Sequence, residues 1–241
     1  ILVDGVKWYS ATTGSPSIQD FPVEHIDRIE IVRGPRSGLY GAEAIGGVIQ
    51  IFTKKGLQGL TPYAKVSYGT HDSKQATVGM SGGNKTTSYN ASFSHRSTEG
   101  ISSIRLNNPD NDGYRNNSVA FNLTHDFSDD LNIGFNFMRA NGFNEYDNSF
   151  DASGIYKEDS IQQIMGAKAT LDVNNLWQVN LNVSESRDER DDFTYGETNT
   201  RHRFASLSNL LQFNDNHTVN IGIDYGIDDV DGDTNYDESS R

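Results

Sequence analysis

The sequence has no cysteine, only 5 prolines and no hydrophobic run long enough for a membrane helix. The first absence removes a disulfide framework, a Cys-x-x-Cys zinc site and a thiol nucleophile. The longest apolar stretch, Ala44 to Phe52, is about ten residues, half of what a spanning helix needs. Basic charge is scarce: 20 Lys and Arg stand against 33 Asp and Glu, a net charge of −13. That balance argues against a nucleic-acid partner, because neutralising phosphates needs a basic face. The 6 histidines are scattered with no i,i+4 pair, and no Ser/His/Asp constellation is legible. Nothing points to an enzyme. The N-terminus lacks a Met, a basic region and a signal-like apolar core. The chain stops on the loop-like Asp237-Glu238-Ser239-Ser240-Arg241, so it reads as a piece of a longer chain.

Amphipathic helices are nearly absent too. Mean hydropathy is only −0.63, yet 11 Tyr and 12 Phe recur too regularly for a disordered chain. An all-β class fits. A membrane barrel is polar on its lumen face, so it spans a bilayer at low average hydropathy.

The pattern changes near Gly56. Before it, short β-like runs (Ile1 to Val3, Ile29 to Val32, Val48 to Phe52) flank Gly-rich turns. They suggest part of a small mixed α/β domain, with a short helix at Pro22 to Ile26. After it, apolar residues alternate with small or polar ones. The clearest series are Val119, Phe121, Leu123; Leu131, Ile133, Phe135, Phe137; Trp177, Val179, Leu181, Val183; and Val219, Ile221, Ile223, Tyr225. Weaker series start near Ala64, Ala76, Tyr89, Met165 and Ala205. This predicts about nine antiparallel strands, each about eight to twelve residues. Residues 1–56 form one unit, 57–60 a linker, and 61–241 the strand region.

Connection lengths choose the kind of sheet. Turns at 82–85, 128–130, 174–175 and 214–216 are minimal and carry Gly, Asn, Ser and Asp. The segments 98–114, 141–161, 188–202 and 228 onward read as long, mostly acidic loops. Short turns at one end and long loops at the other mark an outer-membrane barrel. A soluble sandwich shares the alternation. Against it, the polar faces carry Asn, Ser, Gln and Thr, and aromatics (Tyr68, Tyr89, Phe127, Trp177, Phe213, Tyr225) sit near strand ends on the outward face. An incomplete barrel leaves open edges, which lipid does not tolerate. More strands are expected beyond Arg241.

One segment is distinctive. Ile29-Glu30-Ile31-Val32-Arg33-Gly34-Pro35-Arg36 leads through Tyr40-Gly41 to Ala44-Ile45-Gly46-Gly47-Val48-Ile49. Its glycines suit tight turns and close backbone approach. A phosphate cradle lacks its spacing and its helix. Arg33, Arg36, Glu30 and Glu43 read as buried or wall-facing ion pairs, not as catalysts. The segment resembles the end of the plug domain of TonB-dependent outer-membrane receptors, and Val3-Asp4-Gly5-Val6 resembles an earlier plug strand. The chain is most similar to the cobalamin (vitamin B12) receptors of that family. The features are Arg33-Gly34-Pro35-Arg36-Ser37, the short neutral loop Trp8-Tyr9-Ser10-Ala11-Thr12-Thr13-Gly14, and Asp110-Asn111-Asp112-Gly113-Tyr114.

The resemblance implies an active-transport receptor in the outer membrane, embedded in its lipid. TonB would supply energy through an N-terminal part that this chain lacks. Cobalamin is the expected substrate, with a ferric siderophore as the alternative. Trp8 and Tyr9 would pack on it; Ser10, Thr12 and Thr13 would hydrogen-bond it. Alternating carboxylates before a Gly suit a hard cation. The resemblance implies calcium held by Asp110, Asp112, Tyr146 and Asp147, with Asn108 as an amide ligand. Asp159 or Glu158 would supply a further acid, and Asp151 is an alternative. A different class of role is a surface docking site for a phage or a partner lipoprotein.

Overall fold

The computed structural model describes residues 1–12, 14, 16–35, 44–102, 104, 110–148, 151–214, 217–233 and 238–240. Thr13, Arg36, Tyr40, Gly41, Glu43 and Asn108 lie outside them.

Two sheets organise the chain. The first is small and mixed: β1 (Leu2–Val3), β2 (Val6–Lys7), β3 (Ile26–Arg33) and β4 (Gly47–Thr53), in the order β2-β1-β4-β3. β1 runs parallel to β4, and the other pairs are antiparallel. Short 3-10 turns at Ile18–Asp20 and Val23–His25 take the place of the expected helix at Pro22 to Ile26. Pro22 caps the second of them, where its missing N–H costs nothing.

The second sheet has ten strands in sequence order: β5 (Gly59–Tyr68), β6 (Lys74–Gly83), β7 (Thr87–Thr98), β8 (Tyr114–Asp126), β9 (Leu131–Asn148), β10 (Asp151–Asn174), β11 (Trp177–Asp192), β12 (Gly196–Asn214), β13 (His217–Gly232) and β14 (Glu238–Ser240). Every pair is antiparallel. Each expected strand is present, and β14 is added. β5 and β14 are edges, and Pro62 sits on the β5 edge, where it breaks no ladder.

Tight turns form where expected at 82–85, 128–130 and 174–175, while residues 215 and 216 of the fourth lie outside the described residues. Asn84 Oδ1 accepts the Thr86 and Thr87 N–H groups at 2.9 and 2.8 Å. Ser128 Oγ accepts those of Asp130 and Leu131 at 3.2 and 3.1 Å. The other end corrects the sequence reading. Strands, not loops, occupy most of 141–161 and 188–202. β10 alone has 24 residues, against about ten for a membrane crossing. Beyond the bilayer both faces meet polar surroundings, so the alternation fades while backbone pairing still satisfies each N–H and C=O.

The two sheets share one core. Val3, Val6, Trp8, Phe21 and Ile51 pack with Ala120, Met138 and Ile164 of β8, β9 and β10. Burying each large side chain contributes about 1.5–3 kcal/mol, so apolar contact seats the small unit on the inner wall.

Candidate functional site

Alternation sets what the inner wall presents. Ser160, Gln162 and Ile164 of β10 are buried, as are Ser186 and Asp188 of β11. Met165, one residue past Ile164, and Val183, three residues before Ser186, are exposed on the outer face. The inner row is mostly small and polar, and it meets the small unit through hydrogen bonds.

The loop after β2 lies against this row. Trp8 is fully buried and tilts against Phe21, centroids 5.0 Å apart. Its indole N–H donates to Gln162 Oε1 at 2.8 Å, and Gln162 Nε2 donates to Asp188 Oδ1 at 2.6 Å. Trp8 therefore has no surface to pack on a ligand; that expectation is corrected. It anchors the loop. Tyr9 donates its hydroxyl to Asp228 of β13. Its ring meets His202 of β12 edge-on at 5.2 Å, with the Lys7 ammonium 4.3 Å from its centroid.

Past these anchors the loop reaches a cavity of about 530 Å³. Ser10, Ala11 and Thr12 form one side, and Glu158, Asp188, Arg190, Asp192, Tyr195 and Thr198 belong to the wall. Ser10 Oγ and Thr12 Oγ1 are 2.9 Å apart, and the Gly14 N–H closes the turn on Ser10 O at 2.8 Å. Gly14 has φ +73°, a conformation that favours glycine. Arg190 Nε lies 3.4 Å from Asp188 Oδ1, while Asp188 Oδ2 has no hydrogen-bond partner among the described residues. Acidic groups beside one guanidinium, hydroxyls and an aromatic ring suit a polar ligand with an apolar body.

Among the described residues the expected calcium ligands have partners of their own within the protein. The Tyr146 hydroxyl donates to Asp192. Asp147 Oδ2 accepts the Ile104 N–H at 2.6 Å. Asp159 pairs in register with Phe143 and Asp191, so it shares the outer face with them, whereas Glu158 lines the cavity. The Asp151 carboxylate accepts from Tyr156 at 3.1 Å. The Asp112 N–H bonds Ile101 O at 3.2 Å, and Asp110 is half-buried. Among the described residues no three His, Asp or Glu side chains converge on one point.

The glycine reading of the distinctive segment holds where it is described. The Gly34 N–H bonds Gly46 O at 3.1 Å. A Cβ on Gly47 would stand 2.5 Å from Val32 O. The ion-pair reading of Glu30 and Arg33 concerns a face of β3 that no described wall strand covers. Glu30 pairs with Arg28 at 2.8 Å, both about half exposed, and Arg33 is exposed. These residues lie on β3, which is exposed along nearly its whole length.

Buried polar contacts that sequence reasoning missed hold the unit. His25 meets Ser92 Oγ at 2.8 Å and Ser118 Oγ at 3.1 Å. Burial and the nearby Lys54 charge push its pKa down to about 4, so it is neutral. Asp20 accepts from Ser160 Oγ at 3.0 Å, and its backbone O accepts from Asn116 at 3.1 Å. Burial raises the Asp20 pKa. The only sequence signal for such partners was the polar parity of the strands.

Residues 1–48 match the family described as TonB-dependent Receptor Plug Domain. Residues 1–48 thus carry the plug domain of the TonB-dependent receptors, and the chain as a whole is similar to that family. The small sheet is its plug, the long strands are wall of an outer-membrane β-barrel, and the family is one of receptors, not enzymes. The vitamin B12 transporter BtuB of Vibrio cholerae is 28% identical over 238 residues, covering 93% of this chain and 38% of that protein. BtuB of Vibrio vulnificus is 36% identical over 163 residues, 66% of this chain and 26% of that protein. The chain thus spans well under half the length of these relatives. The crystal structure of the siderophore receptor PiuA from Acinetobacter baumannii superposes with a TM-score of 0.73 at 14% identity, over 99% of this chain and 40% of that one. At that identity the likeness is one of fold.

Proposed function

We propose that this chain is the plug and early barrel wall of a receptor that binds cobalamin at the cell surface and imports it. The observation that carries the reading is the cavity built jointly by plug residues Ser10 to Thr12 and the wall of β10 to β13. A ligand there touches both parts at once, so its binding energy can bias the seating of the plug. Sequence relatives named as vitamin B12 transporters, aligned over nearly the whole chain, favour cobalamin. A ferric siderophore is the second reading. TonB is the proposed source of energy, and calcium on Asp110, Asp112 and Asp147 the proposed means of ordering the outer segments. Docking of a phage or a lipoprotein on the outer segments is a separate role that the same surface could serve.

The test is binding of cyanocobalamin to the receptor purified in detergent, with calcium and then with chelator. Saturable binding lost on Thr12→Trp, which fills the cavity, supports the reading. Loss of affinity with chelator supports the calcium role, and indifference removes that role alone. If cyanocobalamin fails to bind and a ferric siderophore binds, the substrate is the second one.

A further inference from the structure

Beyond the Trp8 anchor, the inner face of the wall rises in three rows toward the end opposite the tight turns. Cross-strand partners place Asp188 beside Gln162, then Arg190 beside Ser160, then Asp192 beside Glu158. Three carboxylates, Glu158, Asp188 and Asp192, therefore share the plug cavity with one guanidinium, Arg190. Strand alternation keeps other cations out. Lys157 and Arg187 have the opposite parity and pair with Glu145 at 3.0 Å and Glu185 at 2.7 Å. Lys7 of the plug lies over the Tyr9 ring and is not part of the lining. A fourth acid, Asp20, bonds Ser160, the cross-strand neighbour of Arg190.

Arg190 does not cancel this excess. Its Nε stands 3.4 Å from Asp188 Oδ1, longer than the about 2.7–2.9 Å of a strong charge-assisted bond. Asp188 is 2% exposed, and its nearer donor is the neutral Gln162 amide at 2.6 Å. Its Oδ2 has no hydrogen-bond partner among the described residues. A buried carboxylate with an unused oxygen is costly, and the cost falls when a donor arrives. Asp192 accepts from the Tyr146 hydroxyl and from the Thr194 and Tyr195 N–H groups, both at 2.9 Å. All three donors are neutral, so its charge stays in the site.

A primary carboxamide matches this arrangement. Its carbonyl accepts from the guanidinium, and its two N–H groups donate to the carboxylates on either side. A carboxylate of the same shape also meets Arg190, but it brings a like charge among three others. Inside a protein-walled cavity that repulsion is far stronger than in water.

We propose that this cavity selects its ligand by charge. It takes uncharged groups that carry N–H donors, carboxamides above all, and rejects carboxylates and other anions. Glu158, Asp188 and Asp192 are the specificity-determining residues, and Arg190 orients the amide carbonyl. The inference rests on the reading of this cavity as the substrate site and deepens it: an amide-fringed corrinoid passes, and an anionic ferric chelate does not.

The experiment measures binding to the receptor purified in detergent, with or without calcium, whichever binds cyanocobalamin more tightly. The probes are cyanocobalamin and its separated monocarboxylic acids, in each of which one propionamide is hydrolysed to a propionate. At least one acid is expected to bind about tenfold or more weakly at pH 7. Glu158→Gln and Asp188→Asn are each expected to narrow that ratio, and Arg190→Gln to widen it. A merely structural role would weaken both ligands together and leave the ratio unchanged. Acids that all bind as tightly as the parent, or a ratio that neither carboxylate variant narrows, overturn the proposal. If Asp188→Asn does not fold, Glu158→Gln decides. If cyanocobalamin itself does not bind, the cobalamin reading fails on its own. The charge selection is then decided by a ferric trishydroxamate carrying an ammonium group against an anionic ferric triscatecholate. Tighter binding of the trishydroxamate supports it; equal or tighter binding of the triscatecholate, or binding of neither, overturns it.

Discussion

The Trp8 indole N–H and the Gln162 amide oxygen, 154 residues apart in sequence, meet at 2.8 Å in the interface between plug and wall. Both side chains are fully buried. Gln162 passes the contact on to Asp188, which lines the plug cavity. The cavity between plug and wall is therefore joined to the plug core by direct hydrogen bonds.

Trp8→Phe keeps the apolar contact with Phe21 and leaves Gln162 Oε1 without its donor. A buried unsatisfied acceptor costs about 1–3 kcal/mol. Trp8→Ala adds a cavity and should cost about 3–5 kcal/mol. Hydrogen exchange of β1 and β2 in the folded receptor measures both. If the plug of Trp8→Phe is as well protected as that of the wild type, the bond contributes nothing to seating.

Gly142 on β9 lies where the Ile18–Asp20 turn of the plug packs against the wall. A Cβ there would stand 2.5 Å from Ser160 Oγ and 2.9 Å from Asp20 Oδ1. Gly142→Val is expected to push out the Ile18–Asp20 turn while leaving the wall strands paired. Proteolysis confined to the plug, with heat-modifiable barrel migration retained, is the expected result. A plug as resistant as in the wild type would show that the approach tolerates a side chain.

His25 makes plug seating sensitive to pH. Its folded pKa, about 4, lies below its ordinary value of 6.5. The stabilisation is complete above pH 6.5 and is lost as pH falls toward 4, by at most about 3 kcal/mol. Asp20 works in the opposite sense. Its folded pKa is raised, so the cost of burying its charge is relieved as pH falls. Subtracting the pH profile of His25→Gln from that of the wild type isolates the histidine. A difference that stays flat between pH 7 and 4.5 would remove this role.

Leu181 points outward in the middle of the β11 apolar series and is 46% exposed in the chain alone. Leu181→Arg should cost about 2–4 kcal/mol in a bilayer, as a charge at mid-depth on a lipid face. Asn182→Arg, one residue on and facing the lumen, should cost less. Folding yields of the two variants into lipid vesicles test the ordering.

The sequence by itself determined the architecture. Period-two alternation from Ala64 to Tyr225 set the strands and their faces, because a pleated strand sends neighbouring side chains to opposite sides. Asn84, Ser128 and Asn174 marked tight turns through side-chain bonds to the backbone within three residues. Gly34 and Gly47 were legible because their constraint is in the backbone. Tertiary structure decided what those faces meet. Nothing local distinguishes Trp8, which became an anchor, from Tyr9, which ties to Asp228, or Gln162 from Gln163 on the outer face. The extent of β10 was hidden because, above the membrane, no solvent contrast writes a pattern into the side chains. The partners of Trp8, Asp20 and His25 come from β7, β8 and β10, about 70 to 150 residues away. Such contacts exist only once the register of every intervening strand is fixed, and the registers are set by the folded sheet as a whole.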